Sequence, residues 1–227
     1  MKAGQRDIVV TIDGPAGAGK STVAAALARR LGFTLIDTGA LYRGLAWAVQ
    51  EAGVAPEDGP ALRDVLDRTS VRLEGARVVV NGRDVTAEIR TPGISRLTSR
   101  LTTLGVVRDK MTPIQRALAA AGAAVLEGRD TGSVVWPEAE VKFYLDADLD
   151  TRAQRRRADL AARGLDGDLE TVREEIARRD RQDMERALAP LVKPAGAVVV
   201  DTTGLGVAEV VDGLLRVIEQ ARCCTRS

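Results

Sequence analysis

A glycine-rich segment near the N-terminus has the residue types and spacing of a phosphate-binding loop. Residues 14–21 read GPAGAGKS and match the pattern G-x-x-x-x-G-K-[ST] at every fixed position. In such a loop the glycines let successive backbone N–H groups turn toward phosphate oxygens, and the start of the following helix adds partial positive charge. Lys20 can reach the β- and γ-phosphates, and the Ser21 hydroxyl can ligate Mg²⁺. The segment therefore predicts that the protein binds a nucleoside triphosphate.

Three further polar clusters lie where a second substrate could bind. Residues 37–43 (DTGALYR) and 127–132 (EGRDTG) each follow a predicted strand, and open parallel sheets bind ligands beyond the carboxyl ends of their strands. Residues 178–186 (RRDRQDMER) form the third cluster. Taken alone, Arg43 fits a solvated helix position and the third cluster fits a salt-bridged solvent face. Two charges between glycines at a strand end favour a site at 127–132.

The composition excludes several kinds of catalysis. The 227 residues include no histidine, which rules out a Ser-His-Asp triad, a histidine general base and histidine-ligated zinc. Cys223 and Cys224 are adjacent, and we expect neither a loop-closing disulfide nor a metal site from them. A net charge of +1, with two residues each of Trp, Tyr and Phe, argues against a nucleic-acid-binding surface. Of the 33 basic residues, 28 are arginine, the cation suited to bidentate contacts with anionic oxygens.

Hydrophobic patterning predicts an α/β chain that contains a small antiparallel insert. Apolar β-branched runs, typical of buried parallel strands, alternate with helical patterns. The predicted parallel strands are 8–12, 33–36, 123–126, 141–145 and 197–200, and the predicted helices are 20–31, 40–51, 62–68, 94–104, 106–121, 150–162, 169–186 and 207–221. Short strands at 71–73, 77–80 and 84–86, with a hairpin turn at Asn81-Gly82, predict the insert, and Pro92-Gly93 marks a break after it.

The chain carries no predicted membrane-spanning or export segment. Its N-terminal apolar run is only about five residues, too short for a signal-peptide core or a bilayer span. The scarcity of cysteine fits a reducing compartment. We therefore expect a cytoplasmic protein.

Six segments together resemble bacterial cytidylate kinases over residues 8–221. They read TIDGPAGAGKST, DTGALYR, DVTAEIRTPGIS, EGRDTGSVVWPEA, VKFYLDA and RRDRQDMERALAPL. The resemblance implies the P-loop nucleoside monophosphate kinase fold, an α/β fold with a parallel five-stranded core sheet flanked by helices, a small antiparallel acceptor insert and a lid. We expect the core with its ATP site at 1–40, 104–150 and 188–227, the acceptor insert at 41–103, and the lid with its flanking helices at 151–187.

The same resemblance implies the reaction and the residues that carry it. It implies transfer of the γ-phosphoryl group of ATP to CMP or dCMP, with Mg²⁺ as cofactor and Ser21 as its ligand, in pyrimidine nucleotide metabolism. It implies ATP binding by Gly14, Pro15, Ala16, Gly17, Ala18, Gly19, Lys20, Ser21 and Thr22. It implies acceptor binding by Thr38, Arg43, Ser99, Arg108, Arg129, Asp130, Arg179, Asp183 and Arg186. The implied catalytic residues are Lys20, Arg129, Arg155 and Arg156.

Some alternatives stay open at this point. Arg116 competes with Arg108 at the acceptor site, and Arg152 or Arg157 could replace the implied lid arginines. Another acceptor, such as UMP or a small metabolite, would keep the protein a kinase, whereas a nucleotide-binding regulator would need no acceptor cluster. We expect a monomer that binds the nucleotides ATP, CMP and dCMP, with no nucleic-acid or membrane partner.

Overall fold

A parallel sheet of five strands forms the centre of the protein, and its strands lie side by side in the order 34–37, 124–127, 9–13, 141–146 and 198–201. A computed structural model describes residues 8–165 and 167–224, with the last two side chains of that range left out. The strands are β1 (Val9–Asp13), β2 (Thr34–Asp37), β6 (Ala124–Glu127), β7 (Val141–Asp146) and β8 (Val198–Asp201). Every residue of β1 is buried, as expected for the middle strand of a sheet covered on both faces. The predicted α/β fold with its five-stranded parallel core is confirmed.

Helices cover both faces of this sheet. They are α1 (Lys20–Leu31), α2 (Thr38–Glu51), α3 (Pro60–Arg68), α4 (Pro92–Leu101), α5 (Gly105–Ala119), α6 (Leu149–Ala161), α7 (Leu169–Glu185) and α8 (Val207–Cys224). On one face, Leu27 of α1 and Leu214 of α8 pack against Phe143 of β7. On the other face, Ala119 of α5 packs near Ile36 of β2. The apolar periodicity of the sequence therefore locates the helices to within a few residues at each end.

The antiparallel insert is present and has its own hydrophobic core. Its strands are β3 (Val71–Glu74), β4 (Arg77–Val80) and β5 (Arg83–Asp84), paired in that order. The sheet packs on α2, where a Cβ at Gly44 would lie 2.9 Å from Cγ1 of Val78. The Asn81-Gly82 turn has positive φ at both residues, as the hairpin pattern predicts.

Two boundaries in this region differ from the sequence prediction. The third strand is 83–84 instead of 84–86, because the Asp84 carboxylate accepts from the N–H and hydroxyl of Thr86 and turns the chain. Pro92 does not precede the next helix but lies in its first turn, where a missing N–H costs no intrahelical bond. Thr91 caps that helix by accepting from Ile94 N at 3.2 Å.

Helices α6 and α7 form the segment in which the lid is predicted. Leu160 of α6 packs with Val172 and Ile176 of α7, and the same cluster includes Ala16 of the glycine-rich loop. The pair therefore lies directly against that loop. The expectations for Cys223 and Cys224 concern side chains outside the described residues. None of the described helices is long and apolar enough to cross a membrane.

Candidate active site

The glycine-rich loop connects β1 to α1, and its backbone explains its glycines. Gly17 and Gly19 have φ of +79° and +82°, a region that side-chain-bearing residues rarely adopt. Gly14 has φ of +145°, and a Cβ there would lie 1.9 Å from the carbonyl oxygen of Leu145. Glycine is therefore strongly favoured at these positions, and the loop brings the start of α1 to the carboxyl edge of the sheet.

Lys20 lies buried in the first turn of α1. Its Nζ donates to the carbonyl oxygen of Pro15 at 2.6 Å, so the ammonium folds back over the loop. Burial, together with the neighbouring Arg129, lowers the pKa of Lys20 to about 7. A bound polyphosphate would favour the charged form, because it adds negative charge beside the ammonium group.

Ser21 contacts a carboxylate that is not among the residues implied by the resemblance. Its Oγ donates to Oε1 of Glu127 at 2.8 Å. Glu127 ends β6 and is level with Asp37 at the end of β2. Burial, reinforced by Asp37, raises the pKa of Glu127 to about 7. The sequence signal was available, because Glu127 opens the EGRD segment at a strand end.

Arg108 and Asp130 form a buried ion pair at the other end of the site. Arg108 Nη2 donates to Asp130 Oδ2, and Arg186 Nη2 lies 3.7 Å from Asp130 Oδ1. Arg116 is turned elsewhere, because its guanidinium donates to the carbonyl oxygens of Val134 and Val135 at 2.9 Å each. Of the two arginines left open by the sequence, Arg108 is the one in the predicted acceptor cluster.

Asp183 joins α7 to the same cluster. Its Oδ2 accepts from Arg129 Nε at 3.1 Å and lies 4.0 Å from Arg179 Nε, while its Oδ1 lies 3.8 Å from Arg186 Nη1. Asp180 and Asp183 are buried. The charged run of α7, which taken alone fits a solvent face, is therefore partly an interior surface.

Several guanidinium groups converge between the glycine-rich loop and this cluster. Burial and the neighbouring Arg129 lower the pKa of Arg179 to about 10, and Arg43 and Arg156 add to the effect. Arg43 Nη2 lies 3.3 Å from Asp37 Oδ2, so this arginine is not a purely solvated helix residue. The positive charges of these guanidinium groups repel one another, and a bound anion would relieve that repulsion. The cluster is therefore suited to binding a phosphate group.

The arginines of the predicted lid segment differ in what they contact. Arg155 donates to the hydroxyl and the carbonyl oxygen of Thr202 at 2.9 and 2.7 Å. Burial and Arg163 lower the pKa of Arg156, and its charge interacts with that of Arg43. Arg152 is buried in an ion pair with Asp180, whereas Arg157 is exposed. Arg156 is therefore the lid arginine that faces the convergent cations.

Smaller polar groups complete the site. Thr38 Oγ1 donates to the Glu127 carbonyl oxygen at 2.7 Å, which joins the start of α2 to the end of β6. The hydroxyl of Ser99 is buried, and its carbonyl oxygen accepts from Gln182 of α7 at 3.2 Å. Asp13, which the sequence reasoning missed, accepts from the N–H and hydroxyl of Thr131 at 2.8 Å and so fixes the chain after Asp130.

Comparison with known proteins agrees with this geometry. The cytidylate kinase family model matches residues 10–220. A cytidylate kinase from Symbiobacterium thermophilum is 48% identical over 221 residues, covering 95% of this chain and 98% of its own. A cytidylate kinase from Geobacter sulfurreducens is 45% identical, covering 98% of this chain and 97% of its own. The solved structure of TT1252 from Thermus thermophilus, 23% identical, covers 95% of this chain and 98% of its own with a TM-score of 0.53, a likeness of fold. The chain belongs to the cytidylate kinase family.

Proposed function

We propose that the protein transfers the γ-phosphoryl group of ATP to CMP or dCMP, giving ADP and CDP or dCDP. The observation that carries this proposal is the position of Lys20. It lies in the phosphate loop and within electrostatic range of Arg129 and Arg179, which belong to the acceptor cluster. A triphosphate held by the loop and an acceptor phosphate held by these arginines would meet between them. Family membership supports the choice of CMP.

The reaction needs charge neutralisation and alignment more than a base. An oxygen of the acceptor phosphate attacks the γ-phosphorus, the new O–P bond forms, and the bond to the β–γ bridging oxygen breaks with its electrons leaving on ADP. The acceptor is already an anion, so no residue has to deprotonate it. Arg43, Arg129 and Arg179 would hold the acceptor phosphate, while Lys20 and Arg156 would stabilise the transferred group.

The buried Arg108–Asp130 pair suits recognition of cytosine. Cytosine offers an amino donor at N4 and an acceptor at N3, whereas uracil reverses both. Asp130 would accept from N4, and Arg108 or Arg186 would donate toward N3. Thr38, Ser99 and Asp183 line the same region and would contact the rest of the acceptor nucleotide.

The residues around Ser21 fit Mg²⁺. The Ser21 hydroxyl oxygen lies 2.8 Å from Oε1 of the buried Glu127 carboxylate. Both groups offer the hard oxygen ligands that this ion prefers. When bound with ATP, the ion neutralises phosphate charge. Ser21 and Glu127 would hold it beside the loop residues 14–22, whose backbone would hold the ATP phosphates.

A coupled assay of ADP release tests the proposal. With ATP and Mg²⁺, we expect fast ADP formation with CMP and dCMP, slower formation with UMP, and little with AMP or GMP. Lys20→Met serves as the inactive control. ADP formation that is independent of any acceptor would point to a nucleotide-binding regulator, and preference for AMP would refute cytosine recognition.

We further propose that the enzyme acts as a monomer, because one chain supplies both the loop and the acceptor cluster, and that it acts in the cytoplasm, whose reducing conditions fit the scarcity of cysteine. Light scattering coupled to size-exclusion chromatography tests the monomer, and a dimer in the presence of both nucleotides would contradict it.

A further inference from the structure

Asp180 of α7 contacts the backbone of the phosphate loop. Its Oδ1 accepts from the Ala16 N–H at 3.0 Å, and its Oδ2 is paired with Arg152 Nη1. Asp180 is only 5% exposed. A carboxylate this close to a polyphosphate site would repel the nucleotide if it were alone, so its pairing with Arg152 matters electrostatically.

Arg152 holds the other side of the same loop residue. Its Nη1 donates to the Ala16 carbonyl oxygen at 3.0 Å, and its Nε donates to the Ala147 carbonyl oxygen at 2.9 Å. A Cβ at Gly17 would lie 2.9 Å from the Arg152 Cβ, so α6 packs directly on the loop. Both backbone polar groups of Ala16 are therefore fixed by one buried ion pair.

The same stretch of α7 also serves the acceptor cluster. Arg179 is adjacent to Asp180, and Asp183 lies one turn later and binds Arg129. One helical turn rises only about 5.4 Å, so the loop contact and the acceptor contacts belong to one rigid segment. A shift of this segment toward an acceptor would necessarily act on Ala16 through Asp180.

We infer that Asp180 and Arg152 are positioning residues that couple acceptor binding to nucleotide binding. When CMP engages Arg179 and Asp183, α7 is held in one position. Asp180 and Arg152 then hold the Ala16 peptide, and with it the loop, in the conformation that binds ATP. This inference rests on the proposed function, because it takes CMP as the molecule that binds at α7.

The test measures the affinity of a non-hydrolysable ATP analogue with Mg²⁺ by calorimetry, without CMP and with saturating CMP. In the wild type we expect CMP to tighten analogue binding at least about fivefold, within the usual range for coupled sites. In Asp180→Asn we expect this ratio to fall below about twofold. A purely structural defect would weaken both measurements by the same factor and leave the ratio unchanged.

A second variant covers the case in which Asp180→Asn leaves Arg152 buried without a partner and unfolds the protein. Asp180→Leu/Arg152→Met removes both charges together with their three hydrogen bonds to the backbone of Ala16 and Ala147, and replacing a whole buried pair with apolar residues is often tolerated. It should fold and also lose the coupling. The matched control is Asp150→Asn/Arg173→Gln. It removes an exposed ion pair between the same two helices, in which Arg173 Nε lies 2.7 Å from Asp150 Oδ1. The ratio of analogue affinities with and without CMP should stay at the wild-type value.

The outcomes separate this inference from the proposed function. If the wild type phosphorylates CMP but either variant keeps the wild-type ratio, the coupling role of Asp180 and Arg152 is refuted while the proposed function stands. A wild-type ratio of one also refutes the coupling role. Failure of the wild type to bind or phosphorylate CMP overturns both.

Discussion

Replacing Asp130 with asparagine isolates the group proposed to select the base. The substitution keeps the shape of the side chain and removes its charge. Asp130 is the partner of Arg108 and lies near Arg186, and the three side chains are 7%, 8% and 4% exposed. An asparagine amide presents either its oxygen or its NH₂ group, so it can pair with O4 of uracil as well as with the N4 amino group of cytosine. The ratio of kcat/KM for CMP to kcat/KM for UMP should therefore fall.

The magnitude follows from the burial of the pocket. The charged acceptor that faces the cytosine amino group becomes a neutral one, and a hydrogen bond to a charged group contributes about 1.5–3 kcal/mol, against about 0.5–1.5 kcal/mol for a neutral one. We therefore expect kcat/KM for CMP to fall by about tenfold or more, since 1.4 kcal/mol corresponds to about tenfold. The buried guanidinium group of Arg108 also loses its counter-charge, while Arg186 keeps Asp183, and the free energy of unfolding falls by about 3–5 kcal/mol. At roughly 2–4 °C per kcal/mol, Tm should fall by about 6–20 °C.

The assay measures kcat/KM for CMP and UMP well below the lowered Tm. The control is Leu66→Ala, a truncation of a buried side chain in α3. It should cost about 2–5 kcal/mol of stability while leaving the CMP-over-UMP ratio unchanged. An equal fall for CMP and UMP in Asp130→Asn would mean that Asp130 serves another part of the nucleotide, and base recognition by this carboxylate would have to be abandoned.

The remaining predictions concern the cations. Lys20→Met should lower kcat by several orders of magnitude while CMP binding survives, and a variant that keeps more than about a tenth of wild-type turnover would contradict the phosphate-loop assignment. Arg155→Ala/Arg156→Ala should lower kcat more than it raises KM for CMP, with Arg156→Ala carrying most of the loss, and an intact kcat in the double variant would exclude both arginines from contact with the transferred group. The pKa of Lys20 is lowered to about 7, so this lysine is mostly neutral at pH 8 and ATP binding there should take up a proton. Calorimetry of ATP binding in two buffers of different ionisation enthalpy measures this proton uptake. Lys20→Arg should abolish the uptake. Identical binding enthalpies in the two buffers for the wild type would disprove it.

Local patterns carried enough information to predict the phosphate loop and most of the fold. The glycines at 14, 17 and 19 all have positive φ, which is a requirement of the local backbone, so their spacing is diagnostic. The alternation of buried strands and helices depends on hydrophobic periodicity, which is also local. The prediction of a strand at 84–86 was wrong, because hydrogen bonds from Thr86 to the Asp84 side chain compete with the backbone hydrogen bonds of the sheet.

The sequence predicts site residues where a local motif suffices. It does not predict those whose role depends on the face of a helix on which they lie or on contacts with distant segments. Arg116 follows Arg108 by eight residues on α5, a rotation of about 80° beyond full turns, so the two arginines point in different directions. Ser21 and Glu127 are 106 residues apart in sequence, and Asp180 and Ala16 are 164 apart. Within the charged run of α7 only helical phase distinguishes the buried aspartates, because Asp180 and Asp183 continue the face of Val172 and Ile176. Their partners, Arg129 and Arg152, lie on other elements.

The most direct measurement follows the phosphoryl group itself. ATP labelled with ³²P at the γ-position is incubated with the protein, Mg²⁺ and CMP, and the products are separated by chromatography. The label should move into CDP in step with ADP formation, with little released as inorganic phosphate, and Lys20→Met should give no labelled CDP. Label that appears as inorganic phosphate, or that stays in ATP whether or not CMP is present, would contradict phosphoryl transfer to CMP at this site.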